Sequence, residues 1–216
     1  MPLIARGLGH RFPERPWLFR GLDVTLHPGR IYALSGPSGS GKSTLLSILA
    51  GWAAPAEGTL ERPGVRTVSW VFQNPHGSPR RSAVDHVALP LLARGLSATR
   101  ADAEARALMR EFGIDALAER PFRELSGGEA QRLMFARGRA VQPDLLLVDE
   151  PTAQLDPRTA DAVNATISAL RSGTLIAVVA THHPGTRAAC TDTIDLADNA
   201  ATDPRHTADA TDRADR

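Results

Sequence analysis

The sequence predicts an α/β fold in which a mostly parallel sheet is flanked by helices, preceded by an antiparallel β region and interrupted by an inserted helical subdomain. Three observations carry it. Apolar runs that read as short buried strands, Ile31 to Leu34, Leu145 to Val148 and Thr174 to Ala180, alternate with segments of helical spacing, as parallel strands joined by crossover helices do. Residues 76–140 change character, with three segments of helical composition and spacing after a polar loop. Between the first of those strands and an apolar helix stands a glycine-rich loop, Gly36-Pro37-Ser38-Gly39-Ser40-Gly41-Lys42-Ser43-Thr44.

The chain opens with two β-like segments, Leu3 to Leu8 and the alternating Leu22 to Leu26, separated by the turn-prone Arg11-Phe12-Pro13-Glu14-Arg15-Pro16. Leu45 to Ala50 reads as the helix after the glycine loop, broken by Gly51 and Pro55. Arg66 to Phe72 then reads as a strand ending at Gln73-Asn74-Pro75, where a polar residue faces a site rather than the core. After a polar loop come three helices, Ala83 to Ala93, Ala98 to Phe112 and Gly127 to Ala140. The β pattern resumes at Asp144 to Glu150, an apolar run closed by two carboxylates, followed by a helix near Arg158 to Leu170. The strand at Thr174 to Ala180 ends in Thr181-His182-His183. From about Asn199, Ala, Thr, Asp and Arg alternate without apolar spacing, so a disordered or weakly helical tail is expected. One domain over 1–198 follows, with core segments 1–75 and 141–198, the helical subdomain at 76–140 and a polar tail at 199–216.

The glycine loop fits G-x-x-x-x-G-K-[ST], the P-loop pattern that binds nucleotide phosphates, and its strand–loop–helix context is the one the motif requires. Glycines let the backbone close around a phosphate chain where a Cβ would collide, and their N–H groups converge on the anion at the positive end of the helix. Lys42 would reach the β- and γ-phosphates, and the Ser43 hydroxyl would ligate Mg²⁺. Lys42 is the sole lysine among 25 Lys and Arg residues. A compact ammonium fits inside such a loop where a forked guanidinium does not.

With 216 residues the chain can form one sizeable core and is too short for two full nucleotide-binding domains. Its net charge of +1 is spread along the chain, so no basic stripe argues for a nucleic-acid partner. A single cysteine, Cys190, excludes an internal disulfide and fits a reducing cytosol. No apolar run approaches the roughly 20 residues that span a bilayer, and Met1 to Arg6 is expected not to be a signal peptide. If membranes matter, another chain must supply the span.

Asp149 closes the apolar strand opposite the P-loop, a placement suited to holding Mg²⁺ through water. Glu150, one residue on, would sit near the γ-phosphate as general base for an attacking water. Two acids at a strand end are common alone; beside a P-loop they read as functional. A second glycine motif, Leu125-Ser126-Gly127-Gly128-Glu129-Ala130-Gln131-Arg132, places a serine and two glycines at a helix N-terminus, another anion site. One nucleotide has no use for two phosphate cradles from one chain, unless the second closes over a neighbour's nucleotide. A dimer follows.

These motifs resemble the ATP-binding-cassette (ABC) family. Leu125 to Glu129 matches the family signature, Gly36 to Ser43 the Walker A motif and Leu145 to Glu150 the Walker B motif, while Gln73 falls at the Q-loop, Ala153 to Asp156 at the D-loop and Thr181-His182 at the H-loop. The resemblance implies a P-loop NTPase with a RecA-like core, acting as a head-to-tail homodimer or pseudo-dimer of ATPase subunits. Two ATP molecules would lie between one subunit's P-loop and the other's Ser126, Gly127 and Gly128, with Asp156 beside them. Gln73 would contact the metal, His182 the γ-phosphate, and Phe12 would stack on adenine, its alternative being a core phenylalanine. The run Val71-Phe72-Gln73, the segment Val87 to Leu92 and Asp149 to Asp156 look most like the ATPases of lipoprotein-release and macrolide-export systems. The chain departs from that branch at Ala153-Gln154, where Gly-Asn is usual, and at Gly138, where alanine is.

The resemblance implies an ATPase in the cytoplasm, peripheral on the inner face of the cell membrane through an integral membrane permease. Competing readings fit less well. A cassette ATPase uncoupled from transport, acting on DNA or ribosomes, would carry a long coiled coil or a second cassette, and a small-molecule kinase would not explain Ser126 to Glu129. The loop Asn74 to Arg81 joins the residue expected to sense the γ-phosphate to the helical region, so it is expected to be a hinge, with Arg80 and Arg81 either docking an acidic permease residue or simply solvated.

Overall fold

A computed structural model describes residues 1–171 and 173–199. The antiparallel sheet joins β1 (Leu3–His10), β2 (Phe19–Leu26) and β4 (Glu57–Glu61) in the order β2-β1-β4. The parallel sheet joins β3 (Ile31–Ser35), β5 (Val68–Val71), β6 (Leu145–Asp149), β7 (Ile176–Ala180) and β8 (Asp192–Asp195) in the order β5-β6-β7-β3-β8. The α-helices among the described residues are α1 (Lys42–Ala50), α2 (Ala83–Ala93), α3 (Ala98–Glu111), α4 (Gly127–Ala140), α5 (Pro157–Ser168) and α6 (Pro184–Ala188). The tail expected from Asn199 lies, but for that residue, outside the described residues; Asn199 itself accepts a hydrogen bond from the Arg20 amide at 2.9 Å.

Alternation along the central strands divides the core into two layers. Leu145, Leu147, Ile176 and Val178 face α1 and the antiparallel sheet, packing with Leu45, Leu46, Ile48 and Leu49. Leu146, Val148, Ala177 and Val179 face the other way, onto Phe135 and Ala136 of α4 and Val163 and Ile167 of α5. A strand covered on both faces has no position left for a polar residue, hence the unbroken apolar runs. Gly138 lies where α4 presses on β5 and β6: a Cβ there would come within 3.3 Å of both Leu146 Cδ1 and Ser69 Oγ. The departure from alanine at this position therefore has a packing cause.

The helical expectations for α2 and α4 agree with the structure in both bounds. β4, α6 and β8 were not anticipated. β4 is an edge strand of sequence Glu-Gly-Thr-Leu-Glu with no apolar face, and α6 and β8 are only 5 and 4 residues long.

Strand register sets the site. Leu34 pairs with Ala180, Asp149 with Ala180 and Val71 with Val148, so the carboxyl ends of β3, β5, β6 and β7 form one rim. Gly36, Gln73, Glu150 and His182 each follow one of these ends, where open parallel sheets bind their ligands.

Candidate functional site

The loop between β3 and α1 is held by its glycines. Gly41 has φ 93°, and a Cβ on it would lie 3.0 Å from Leu18 Cβ and 3.1 Å from Phe19 Cδ1, so both the dihedral and the neighbours exclude a side chain. Whereas α2, α3, α4 and α5 are capped by the side chains of Ser82, Ser97, Ser126 and Asp156, the first turn of α1 has no side-chain cap and no acidic residue. Its amides and the positive end of its dipole are left for an anion.

Lys42 Nζ donates to the Gly36 carbonyl at 2.9 Å and the Pro37 carbonyl at 3.1 Å, and lies 3.8 Å from Glu150 Oε1. The amine thus bridges the loop and the acid. Ser43 Oγ donates to Asp149 Oδ2 at 2.8 Å. Burial pushes the Asp149 carboxyl above the usual carboxylate range, with neighbouring Glu150 adding to the effect and the Ser43 hydrogen bond and Lys42 opposing it. A hydroxyl, a carboxylate and the nearby Gln73 amide are hard oxygen donors beside a phosphate loop, a set that fits Mg²⁺, which takes few protein ligands and completes its shell with water and phosphate. Among the described residues no cluster of three or more His, Cys, Asp or Glu forms a fuller cage.

Glu150 is, among the described residues, one of three non-glycine residues with positive φ, at 43°. Its amide donates to the Ala180 carbonyl at 2.9 Å, and its carboxylate oxygens lie 2.9 and 3.0 Å from His182 Nδ1. The left-handed turn swings this side chain out of the strand line and over the rim, a strained conformation of the kind that accumulates at reacting centres.

Phe12 is 49% exposed, which removes the core alternative, and its ring meets His10 edge-on at 5.2 Å. Phe12 and Leu18 share a cleft of about 420 Å³ with Ser38, Gly39, Gly41, Lys42, Ser43, Thr44, Gln73, Asp149 and Glu150. Leu18 escaped the sequence reading because nothing marks a lone leucine at the start of a strand. Gln73 follows Phe72, whose carbonyl accepts from the buried Gln131 Nε2 of α4 at 3.3 Å and whose ring stacks on Trp70 at 5.4 Å. Gly36, Pro37 and Ser40 do not line the cleft but shape the loop: the Ser40 amide donates to the Pro37 carbonyl at 3.2 Å, and a Cβ on Gly36 would lie 2.7 Å from Ser40 Oγ.

Ser126, Gly127, Gly128 and Asp156 do not line this cleft. Ser126 and Glu129 form a capping box: Ser126 Oγ accepts from the Glu129 amide at 3.4 Å, and Glu129 accepts from the Ser126 amide at 2.8 Å. The latter bond holds the Glu129 carboxyl below its ordinary range. Gly127 and Gly128 abut Leu155 and Thr159, and Asp156 caps α5, accepting from the Arg158 and Thr159 amides at 3.1 and 3.2 Å and from Thr159 Oγ1 at 2.5 Å. The signature end of α4 and the Ala153 to Asp156 turn therefore form one packed unit apart from the chain's own phosphate loop.

A parallel sheet with a phosphate loop after β3 and an acid pair after β6 defines a P-loop nucleoside triphosphatase. The ABC transporter family pattern matches residues 19–153, more than half of the 216, and the chain belongs to that family, whose members of this kind bind and hydrolyse ATP. It is 40% identical over 187 residues to a lipoprotein-releasing system ATP-binding protein LolD of Ruegeria sp. (strain TM1040), covering 79% of this chain and 82% of that protein. To a taurine import ATP-binding protein TauB of Pseudomonas aeruginosa (strain UCBPP-PA14) it is 44% identical over 153 residues, covering 68% of this chain and 58% of that protein. Among solved structures it resembles an ABC transporter in an inward-facing conformation, with TM-score 0.76, 30% identity and coverage of 90% of this chain and 79% of that one. The fold alone is shared with the dimeric post-hydrolysis cassette MJ0796 bound to ADP and Pi, at TM-score 0.75 and 24% identity, with coverage of 90% and 94%.

Proposed function

We propose that this chain is the ATPase subunit of a lipoprotein-release type transporter, working as a head-to-tail dimer on a separate integral membrane permease at the inner face of the membrane. The observation that carries the dimer is the separation of Ser126, Gly127 and Gly128 from the chain's own P-loop cleft, since a second anion site gains a nucleotide only from a partner. The transport branch rests on the likeness to LolD, which extends over most of both chains, whereas the likeness to TauB spans 58% of that protein. Among the described residues no helix is long and apolar enough to cross a membrane, in keeping with a span supplied by the permease.

In this reading Phe12 stacks on adenine, and Gly36 to Thr44 wrap the phosphates with Lys42 at the β- and γ-groups. Ser43, Asp149 and Gln73 would hold Mg²⁺, which would supply charge neutralisation to the phosphates. Glu150 takes the proton of the attacking water, and His182, whose Nδ1–H donates to Glu150, fixes the carboxylate and faces the γ-phosphate. The partner's Ser126 to Gly128 segment closes the opposite side, with Asp156 near it.

Two measurements test the proposal. Specific ATPase activity of the chain without its permease is expected to rise with protein concentration; a flat profile from dilute to concentrated protein counts against the sandwich. The permease reading places a short cytoplasmic helix in the cleft of about 540 Å³ between the Gln73 loop and α2, bounded by His76, Pro79, Arg81, His86, Leu89 and Arg137. Arg80 and Arg81 are both exposed, Arg81 lining this cleft and Arg80 beside it in sequence, and among the described residues neither forms an ion pair. Arg80→Glu with Arg81→Glu is expected to abolish co-purification with the permease while leaving basal hydrolysis intact. Wild-type co-purification would leave these arginines merely solvated.

A further inference from the structure

Beyond the cleft, the described residues contain a buried polar chain for which neither the phosphate chemistry nor helix capping has a use. Thr152, Thr186 and Asn164 are 4%, 0% and 8% exposed. Thr186 Oγ1 donates to Asn164 Oδ1 at 2.8 Å and lies 2.9 Å from Thr152 Oγ1. A hydroxyl has one proton to donate, so with that proton on Asn164 the Thr186 oxygen accepts from Thr152. The chain therefore runs in one direction, from the Thr152 hydroxyl through Thr186 to the Asn164 amide oxygen. Buried hydroxyls of this kind are costly unless every one is satisfied, and a valine at either threonine would fill the same space without that demand.

What the three residues join gives the chain its meaning. Thr152 lies two residues beyond Glu150, in the turn that leads to Asp156. Thr186 lies four residues beyond His182, in α6. Asn164 lies in the middle of α5, the helix that Asp156 caps. At their near ends the two rim segments are tied by the sheet, through the pairing of Asp149 with Ala180 and the Glu150 amide on the Ala180 carbonyl. At their far ends they are tied by the Thr152–Thr186 bond. Glu150 and His182 sit between these ties, in contact with each other. α6 is itself anchored, because the Cys190 thiol, pushed up to about 12 by burial and so protonated, donates to the Thr186 carbonyl at 3.3 Å, and Ser168 Oγ of α5 donates to the Ala189 carbonyl at 3.1 Å.

We propose that Thr152, Thr186 and Asn164 are positioning residues for ATP hydrolysis: their hydrogen-bonded chain clamps the Glu150 and His182 segments together and fixes both to α5. The proposal rests on the reading of Glu150 as general base. None of the three touches the reacting atoms; each acts through the segment it restrains. A carboxylate held in a left-handed turn needs such a restraint, since relaxation of its backbone would carry the side chain off the rim. Because the clamp also fixes the turn that leads to Asp156 and the partner-facing glycines, the same bonds relate the base of one nucleotide site to the surface offered to the other.

The test is steady-state ATP hydrolysis by the full chain at one fixed protein concentration. Thr186→Val keeps the side-chain shape and removes the central hydroxyl. It is expected to lower kcat by about 10- to 100-fold, the scale of a reacting group misplaced by about 1 Å, with KM for ATP within about twofold of wild type because the P-loop is untouched. Thr186→Ser, which restores the hydroxyl, is expected to recover kcat to within about twofold. Wild-type kcat in folded Thr186→Val, or a raised KM with kcat intact, overturns the proposal. Should Thr186→Val fail to fold by circular dichroism, Thr152→Val, at the outer end of the chain, is judged by the same criteria and decides. Glu150→Gln measured alongside separates the two levels: retained turnover there defeats the general-base reading and the clamp with it, whereas an inactive Glu150→Gln beside a fully active Thr186→Val defeats the clamp alone.

Discussion

Glu150→Gln is expected to lower ATP turnover by about 10²- to 10⁴-fold, the usual effect of a positioned base, while ATP still binds. The amide keeps the size of the carboxylate and an oxygen that can accept from His182 Nδ1, so the contact now at 3.0 Å can persist. It removes the group able to take a proton from water, and it removes a charge 3.8 Å from Lys42 Nζ. Phosphate binding, which rests on the loop amides and Lys42, is retained. Hydrolysis stalled with ATP bound leaves the sandwich closed, so the variant is expected to dimerise when ATP is added, as read by light scattering. Retention of more than about a third of wild-type turnover would remove Glu150 from the role of base.

The second large effect is expected at Gly128. A Cβ there would lie 2.0 Å from Thr159 Cγ2. Thr159 cannot simply turn away, because its hydroxyl donates to Asp156 Oδ2 at 2.5 Å in the cap of α5. Gly128→Ala is therefore expected to destabilise the fold by about 1–3 kcal/mol, the cost of overpacking a tight contact, and to abolish turnover by moving the signature end of α4. Adding Thr159→Ser deletes the offending methyl and keeps the hydroxyl, so thermal stability should return. Turnover returning with it would mean that Gly128 serves packing alone. Stability without turnover would mean that this turn has a part in turnover beyond its packing on Thr159.

Much of the molecule is legible in the sequence because its strongest signals are local. The bounds of α2 and α4 are written as serine caps, Ser82 and Ser126, ahead of apolar spacing, and the buried strands as unbroken runs such as Leu145 to Val148. Of the residues that line the cleft, Phe12, Ser38, Gly39, Gly41, Lys42, Ser43, Thr44, Gln73, Asp149 and Glu150 were named from the sequence, most of them because they follow a strand end or open a helix on one rim. What escaped depends on neighbours distant in the chain. β4 owes its place to pairing with β1 rather than to its own composition, and Leu18 joins the cleft only because β2 starts against Gly41. The role of Ser126 is also divided in a way the motif does not disclose, because its hydroxyl oxygen already accepts from the Glu129 amide and has only its proton left for a phosphate. No pattern links Thr152, Asn164 and Thr186, whose contact arises only after α5 and α6 pack together.

The amine bridging the Gly36 and Pro37 carbonyls carries a consequence for covalent chemistry. Because every other Lys or Arg position in the 216 residues is arginine, the sequence offers one ε-amino group, and it lies inside the phosphate loop. Acylating reagents, and any cellular acetylation directed at lysine, thus have a single side-chain address, and modification there strikes the ammonium that grips the nucleotide. Apart from the α-amino group of Met1, the amine chemistry of these residues falls at the point of energy input.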